Sequence, residues 1–162
     1  MQVSAAALRT TPQSSDRTAP AAPDAGEGGP TMAVKIGFVG CGGIANAHMN
    51  NLVKIENAEM VAFSDIAMEK AEAAAEKFGG KAYADYREMY EKAGLDAVYV
   101  CLPPFAHEDQ ELLAVQAGLN IFVEKPIALS MEKAREIEAA IAAAGVINCS
   151  AYHWRTHDTA KW

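Results

Sequence analysis

Two hydrophobic periodicities alternate along residues 34–150, and they predict strands and helices in turn. Short apolar runs predict buried strands, because parallel strands covered on both faces carry few polar residues. The predicted strands are residues 34–39, 60–63, 81–83, 96–101, 121–123 and 146–149. Apolar positions that repeat every three or four residues predict the helices between them. The predicted helices include residues 69–78, residues 108–117 and a long helix capped by Ser130.

The helix after the first strand has its own apolar repeat. Its predicted buried face consists of Ile44, His48, Leu52 and Ile55, which are spaced by three or four residues. His48 is therefore expected to be packed in this face rather than catalytic. Asp85 is expected to cap a further short helix, because an aspartate at a helix start accepts hydrogen bonds from the first free N–H groups.

Regular alternation of strand and helix predicts an α/β fold of the Rossmann type. Such a chain forms a doubly wound, mostly parallel sheet with helices on both faces. We expect residues 1–31, rich in Ala, Pro, Ser, Thr and Gly, to form a disordered tail, because they cannot bury enough surface to offset the entropy of ordering. Residues 32–150 then form one Rossmann-type domain, and residues 151–162 follow its last strand.

A glycine-rich turn follows the first strand and predicts a phosphate-binding site. Gly40, Gly42 and Ala45 match the pattern G-x-G-x-x-A, in which the first glycine allows a tight turn and the second lets a pyrophosphate approach the backbone. Ala45 is small enough for the helix to pack closely on the strand. Gly43 and Ile44 complete the turn at the helix start, where free N–H groups and the helix dipole favour phosphate.

An acidic residue lies at the end of the second strand. Asp65 follows the turn by about 20 residues, the separation at which a carboxylate accepts hydrogen bonds from the adenosine ribose. A carboxylate there repels a 2′-phosphate, and Ile66 and Ala67 offer no positive partner, with Lys70 the nearest cation. NAD is therefore favoured over NADP. The alternative is a phosphate-free turn in which Asp65 only caps the next helix.

Composition excludes several other classes of partner. The 162 residues carry a net charge of −7 without a basic run, which argues against nucleic acid and against anionic membranes. No apolar stretch approaches the length of a membrane span. Cys41, Cys101 and Cys149 are odd in number and lack metal-type spacing, so we expect reduced thiols in a cytoplasmic protein. Met32 lies just before the first strand and is an alternative start of translation to Met1.

Four motifs in order resemble the N-terminal half of the Gfo/Idh/MocA oxidoreductases. They are the glycine turn at residues 39–45, Pro103-Pro104 with His107, Glu124-Lys125-Pro126, and Tyr152-His153-Trp154-Arg155. The resemblance covers roughly residues 33–162 and implies an NAD- or NADP-dependent oxidoreductase that transfers hydride to or from a secondary alcohol of a sugar, cyclitol or related polyol. It also implies that Pro103 and His107 shape a loop over the cofactor.

The Glu-Lys-Pro motif is the most specific part of this resemblance. Lys125 matches the lysine that touches the reacting hydroxyl, and Glu124 would orient Lys125 or the cofactor side of the pocket. A lysine beside a positively charged nicotinamide has its ammonium form disfavoured, so that it can act as a base nearer neutral pH. The alternative is an ordinary solvated charge pair at a strand end. For Trp154 and Arg155, a link to the substrate domain and a surface tail are equally favoured.

Family members are considerably longer, and their second domain carries most of the substrate wall. The resemblance therefore implies that residues 32–150 form a dinucleotide-binding domain and that residues 151–162 begin the connection to a missing substrate domain. A polyol or sugar can therefore be a partner only if a second domain is present, and turnover by these residues alone is expected to be poor or absent. An apolar rim left uncovered predicts association between copies or poor solubility. A non-catalytic dinucleotide-binding or regulatory module is the alternative function, and a methyltransferase ranks last because Glu124-Lys125-Pro126 has no role in one.

Overall fold

Six strands and five helices make up the described part of the computed structural model, which comprises residues 32–152. The strands are β1 Val34–Val39, β2 Ala58–Ser64, β3 Lys81–Tyr83, β4 Ala97–Val100, β5 Asn120–Val123 and β6 Asn148–Ser150. The helices are α1 Gly43–Leu52, α2 Met68–Phe78, α3 Tyr86–Lys92, α4 Gln110–Gln116 and α5 Met131–Ala144. A single 3-10 turn, Pro104–Ala106, precedes α4. The predicted alternation of strand and helix is therefore confirmed.

The strands form one parallel sheet in the order β3-β2-β1-β4-β5-β6. This order is that of the doubly wound dinucleotide-binding fold, in which the two halves of the chain meet between β1 and β4. The predicted fold class is confirmed. Because all strands are parallel, their carboxyl ends lie along one edge of the sheet, and the loops that follow them are neighbours in space.

Two hydrophobic clusters cover the two faces of the sheet. On one face, Phe38 and Phe63 pack with α1 and α2, and both side chains are fully buried. On the other face, Val98 and Val100 pack with Met89 of α3 and with α4. Burial of each large apolar side chain stabilises the fold by about 1.5–3 kcal/mol. β1 and β4 therefore lie at the centre of the sheet between the two clusters, and the loops at their ends begin from well-packed positions.

Two of the predicted helix caps are present. The Asp85 carboxylate accepts a hydrogen bond from the N–H of Arg87 at 2.9 Å, and the Ser130 hydroxyl accepts one from Lys133 at 3.2 Å. The predicted start of α4 at residue 108 is wrong by two positions, because the 3-10 turn and the extended backbone of His107 occupy the preceding residues.

The predicted buried face of α1 is correct for Leu52 and wrong for Ile44 and Ile55. The buried residues are Ala45, Met49 and Leu52, whereas Ile44 and Ile55 are about half exposed. The reason is the close approach of α1 to the sheet, which only a side chain as small as that of Ala45 permits at the contact. Ile44 consequently lies on the open side of the glycine turn.

Candidate dinucleotide site

The loops that follow β1, β2, β4 and β5 meet at the carboxyl edge of the sheet. Hydrogen bonds continue the sheet ladder beyond the strand ends and fix these loops. The N–H of Gly40 donates to the Ser64 carbonyl at 2.8 Å, and the N–H of Cys101 donates to the Val39 carbonyl at 2.8 Å. The N–H of Glu124 donates to the Val100 carbonyl at 2.9 Å. Every motif residue predicted from the sequence within residues 32–152 therefore lies on or beside one rim.

Gly40 is required by the backbone. Its φ is +85°, and a Cβ built there would lie 2.5 Å from the carbonyl oxygen of Cys101. A φ in this region strains any residue with a side chain. Gly40 therefore lets β1 turn sharply while the loop after β4 packs directly against it.

Gly42 and Gly43 face open space instead. A Cβ built at either residue would meet no heavy atom within 4 Å. No side chain caps α1, and its first turn has no acidic residue. The first N–H groups of a helix lack partners within the helix, so this turn offers donors and a positive dipole end to an anion. The shape and the chemistry both fit a pyrophosphate.

Asp65 joins the end of β2 to the glycine turn. One carboxylate oxygen, Oδ2, accepts the N–H of Cys41 at 2.8 Å, and the other, Oδ1, accepts the N–H of Ala67 at 2.9 Å. Asp65 is half-buried, and each carboxylate oxygen has a further lone pair. The bond to Ala67 closes a local turn and does not cap α2, because the capping residue of α2 is Ala67 and no side chain caps that helix. The predicted alternative in which Asp65 only caps the next helix is therefore wrong. The bond to Cys41 is an additional contact that the sequence did not suggest.

Glu124 is buried, and each of its carboxylate oxygens has a hydrogen-bond partner. Its side chain is 7% exposed, Oε1 lies 2.8 Å from Nε2 of His48, and Oε2 accepts the backbone N–H of Lys125 at 3.1 Å. An ionised carboxylate only accepts hydrogen bonds, so Nε2 of His48 carries the proton in this contact. The predicted alternative of a solvated Glu124–Lys125 charge pair does not describe this arrangement.

His48 links the two motifs because aromatic side chains hold its ring. The ring lies 5.6 Å from that of Tyr99 and packs edge-on against Phe122 at 5.0 Å. His48 is thus packed, as predicted, but it also binds Glu124, which sequence reasoning missed. The only signal was its position on the helix that the glycine turn opens, where one side of the helix faces the ends of β4 and β5.

Lys125 lies at the outer end of this group. The residue is exposed, and its peptide bond to Pro126 is cis. Among residues 32–152, no carboxylate lies within ion-pair distance of its ammonium group. The side chain is therefore free to reach a group bound above the rim.

The loop after β4 contains Pro103 and His107. Pro103 is exposed, whereas the His107 side chain is 4% exposed and contacts Glu111 of α4 and the carbonyl of Leu102. His107 thus lies beneath the loop rather than in the open rim. Trp154 and Arg155 lie outside the described residues.

The cysteines differ in exposure. Cys41 and Cys101 are buried and Cys149 is exposed. Burial raises the pKa of the Cys41 thiol to about 12, with the nearby Asp65 carboxylate acting in the same direction. Burial likewise raises the pKa of Cys101 to about 12, aided by Glu124. Both groups are therefore neutral packing residues of the rim rather than nucleophiles.

A separate groove is lined by none of the rim residues Gly40, Asp65, Glu124 and Lys125. It has a volume of about 550 Å³ between α5 and the strands β5 and β6, and apolar side chains such as Ile127, Met131 and Ile137 line it. A dinucleotide lies extended across the ends of the strands in this type of fold, so the chemistry of the rim locates the site better than enclosed volume does. Within residues 32–152, no helix has the length and apolar character of a membrane span.

The fold and the rim define a dinucleotide-binding Rossmann domain. Comparison with known proteins agrees, since the model of the oxidoreductase family with an NAD-binding Rossmann fold matches residues 34–153. The chain belongs to this family, Gfo/Idh/MocA, as the motifs indicated.

Two characterised relatives illustrate the range of the family. Glucose-6-phosphate 3-dehydrogenase from Bacillus subtilis is 38% identical over 100 residues, which are 62% of this chain and 28% of that protein. Inositol 2-dehydrogenase from Klebsiella pneumoniae is 36% identical over 117 residues, or 70% of this chain and 35% of that protein. The chain therefore spans about a third of the length of these relatives.

Solved structures show the same partial coverage. Myo-inositol dehydrogenase from Lactobacillus casei, in complex with NAD(H) and myo-inositol, superposes with a TM-score of 0.73 at 33% identity. The match covers 78% of this chain and 39% of that one. The apo scyllo-inositol dehydrogenase from the same organism superposes with a TM-score of 0.75 at 28% identity, covering 80% and 39%.

Proposed function

We propose that this chain is the NAD-binding half of a dehydrogenase that acts on a secondary alcohol of a sugar, cyclitol or related polyol. The observation that carries the proposal is the open space in front of Gly42 and Gly43, at the uncapped start of α1. Other glycines of the chain also face open space, but their positive φ angles already require glycine. Gly42 has a φ of −77°, so its backbone does not require glycine, and the missing side chain leaves room for a ligand's phosphates.

The phosphates would lie against the first turn of α1. Gly42, Gly43 and Ile44 would present backbone N–H groups to them, and Gly40 keeps the strand end out of the way. The half-exposed Ile44 side chain would contact the cofactor from the open side. The adjacent Asp65 carboxylate would accept the ribose hydroxyls with its remaining lone pairs.

The same carboxylate supports a preference for NAD over NADP. A 2′-phosphate would meet negative charge at Asp65, and Ile66 beside it is fully exposed and apolar. Lys70, in the first turns of α2, is too weak a counterweight because long exposed side chains contribute little to ion pairing.

The nicotinamide end would lie beside the loops after β4 and β5, with Pro103, His107 and Glu124 shaping or supporting that end. When bound, the nicotinamide ring exchanges hydride with the reacting carbon. Lys125 would hold or accept a proton at Nζ from the hydroxyl on that carbon, and its freedom from ion pairs leaves Nζ available. Glu124 acts through the Lys125 backbone, since its Oε2 accepts that N–H.

The substrate class follows from the relatives. The two relatives described above are named for acting on glucose 6-phosphate and on inositol, both of which carry ring secondary alcohols. Substrate contacts from a second domain would be needed for a near-attack pose. A cytoplasmic location and association between copies stay predictions.

Titration of the 162-residue chain with NADH and NADPH, followed by fluorescence or calorimetry, tests the proposal. We expect saturable NADH binding that Lys125→Ala preserves and that Asp65→Ser weakens. The reason is that Asp65 would bind the ribose of the cofactor, whereas Lys125 would act on the substrate hydroxyl. Absence of NADH binding at millimolar concentration to folded protein would refute the proposal.

A non-catalytic dinucleotide-binding module is the remaining alternative. It predicts the same binding with no polyol-dependent reduction of NAD, even when the chain is joined to a second domain from a relative. Lys125-dependent turnover in such a fusion would decide for the dehydrogenase.

A further inference from the structure

His107 and Glu111 form a buried pair beneath the loop after β4. Nδ1 of His107 lies 2.5 Å from Oε1 of Glu111, and the two side chains are 4% and 1% exposed. The other ring nitrogen, Nε2, lies 3.2 Å from the carbonyl oxygen of Leu102. The imidazole therefore connects Leu102, near the start of the loop at residues 101–109, with helix α4.

The partners of this ring determine its proton count. A backbone carbonyl only accepts hydrogen bonds, so Nε2 must carry a proton to bind Leu102. The contact between Nδ1 and the carboxyl group needs a second proton, located either on the ring or on Glu111. The pair therefore holds one proton more than a neutral imidazole and a carboxylate hold separately. Without that proton, the ring can donate to Leu102 or to Glu111 but not to both.

The side chain of Gln110, the first residue of α4, also makes hydrogen bonds to the loop. The side chain of Gln110 donates to the Ala106 carbonyl at 3.1 Å and accepts the N–H of Glu108 at 2.7 Å. These amide contacts do not titrate. They hold the 3-10 turn and the residues before α4. Among the hydrogen bonds of residues 32–152, only that of the His107 ring extends to Leu102.

We propose that Glu111 is a positioning residue for cofactor binding, which keeps a proton on the His107–Glu111 pair and thereby fastens residues 102–107 over the nicotinamide end of the site. Loss of that proton releases one end of the loop, so NADH affinity falls as pH rises through the pKa of the pair. The effect on NADH affinity rests on the proposed function, whereas the retained proton on the His107–Glu111 pair does not.

The surroundings of the pair are consistent with a retained proton. The hydrogen bond to Glu111 raises the pKa of His107 above its ordinary value of 6.5, although burial opposes the shift. Oε2 of Glu111 is buried without a hydrogen-bond partner among the described residues, so no donor other than His107 stabilises a negative charge on this carboxyl group. From α3, Tyr90 faces Glu111, and its pKa is raised by burial and then by that carboxylate. Tyr90 therefore stays neutral in the relevant pH range.

A cluster of charged side chains lies at the N-terminal end of α4. Asp109 binds Tyr86 and the guanidinium of Arg87, and these hydrogen bonds hold the pKa of Asp109 below its ordinary value despite its partial burial. Glu108 is exposed. Asp109 therefore keeps its charge near the pKa of a histidine, and a transition there belongs to the His107–Glu111 pair.

NMR of the ¹⁵N-labelled full chain tests the proton directly. We expect both ring nitrogens of His107 to be protonated at neutral pH, or Nε2 alone with a protonated Glu111, and a transition above the ordinary histidine value. In Glu111→Gln the transition should move to lower pH, because the carboxylate that favours the proton is gone. Amide exchange in residues 102–107, which should accelerate with pH in the unmodified chain, should lose this dependence, because the new side-chain amide can donate to Nδ1 of a neutral His107. The matched control is Glu108→Gln, the same change on an exposed neighbour, which should leave His107 unaltered.

NADH titration over the same pH range supplies the second readout. We expect affinity to fall roughly three- to tenfold across the transition, the effect of losing one hydrogen bond, and Glu111→Gln to abolish this pH dependence. A wild-type His107 that titrates at its ordinary value overturns the inference even if the variant fails to fold. So does NADH binding that is independent of pH. Failure of NADH to bind at all, with His107 protonated as expected, would instead refute the proposed function.

Discussion

Nε2 of His48 lies 2.8 Å from Oε1 of Glu124, across 76 residues of chain. The contact joins the helix that the glycine turn opens to the motif that contains Lys125. Because Glu124 also accepts the backbone N–H of Lys125, the backbone position of the lysine depends on a residue in the second turn of α1. The two ends of the predicted cofactor site are thus one hydrogen-bonded unit.

Replacing His48 by alanine should disturb both ends of this unit. Glu124 would be left as a buried carboxylate without its partner, which costs about 1–3 kcal/mol. We expect a lower urea midpoint and weaker NADH binding. His48→Gln, which retains an N–H donor, should restore part of both. Asn51→Ala, an exposed change on the same helix, is the control, and equal effects of His48→Ala and Asn51→Ala would contradict the role assigned to the contact.

The glycines of the turn should respond differently to the same added methyl group. Gly40→Ala places a Cβ 2.5 Å from a backbone oxygen at a φ of +85°, so we expect a loss of about 1–3 kcal/mol in unfolding free energy. Gly42→Ala meets nothing within 4 Å, so it should cost less than about 1 kcal/mol.

NADH affinity should nevertheless fall in Gly42→Ala, by on the order of tenfold, because the methyl group occupies the approach of the pyrophosphate. Thermal unfolding and NADH titration of the two variants make the comparison. A Gly42→Ala protein that binds NADH as tightly as the unmodified chain would place the phosphates elsewhere.

Asp65 should control the choice between the two dinucleotides. Replacing Asp65 by serine removes the charge that opposes a 2′-phosphate, so we expect the ratio of the Kd values for NADPH and NADH to fall. The same change removes the acceptor for the Cys41 N–H, and NADH binding itself should weaken. Asp65→Asn, which keeps one acceptor oxygen, separates the two effects. An unchanged ratio in both variants would show that another residue sets the preference.

Stability should also depend on pH through His107. Its pKa is raised in the folded chain, so the proton is bound more tightly when folded than when unfolded. The resulting stabilisation is complete below the ordinary value of 6.5 and is lost as pH rises through the raised pKa. Urea unfolding at several pH values should show this decline, and Glu111→Gln should flatten it. A free energy of unfolding that rises with pH in this window would contradict the sign.

Much of this arrangement could be predicted because it is local in sequence. The turn at Gly40, the caps at Asp85 and Ser130, and the alternation of strand and helix each depend on residues a few positions apart. The buried face of α1 was predicted correctly at Leu52 but wrongly at its start, because hydrophobicity favoured Ile44, whereas close packing required Ala45. The spacing of His107 and Glu111, one helical turn, was a readable signal for their pairing, but nothing in it indicated burial.

The sequence by itself determined the fold class, the rim on which the motifs lie and the family to which the chain belongs. Periodicity and short motifs encode these features, and both act within a single strand, turn or helix. Only the tertiary structure decided that His48 binds Glu124, that Asp65 binds the glycine turn and that His107 lies beneath its loop. These contacts form when parallel strands bring distant loops to one edge, where burial removes the water that would otherwise satisfy each polar group.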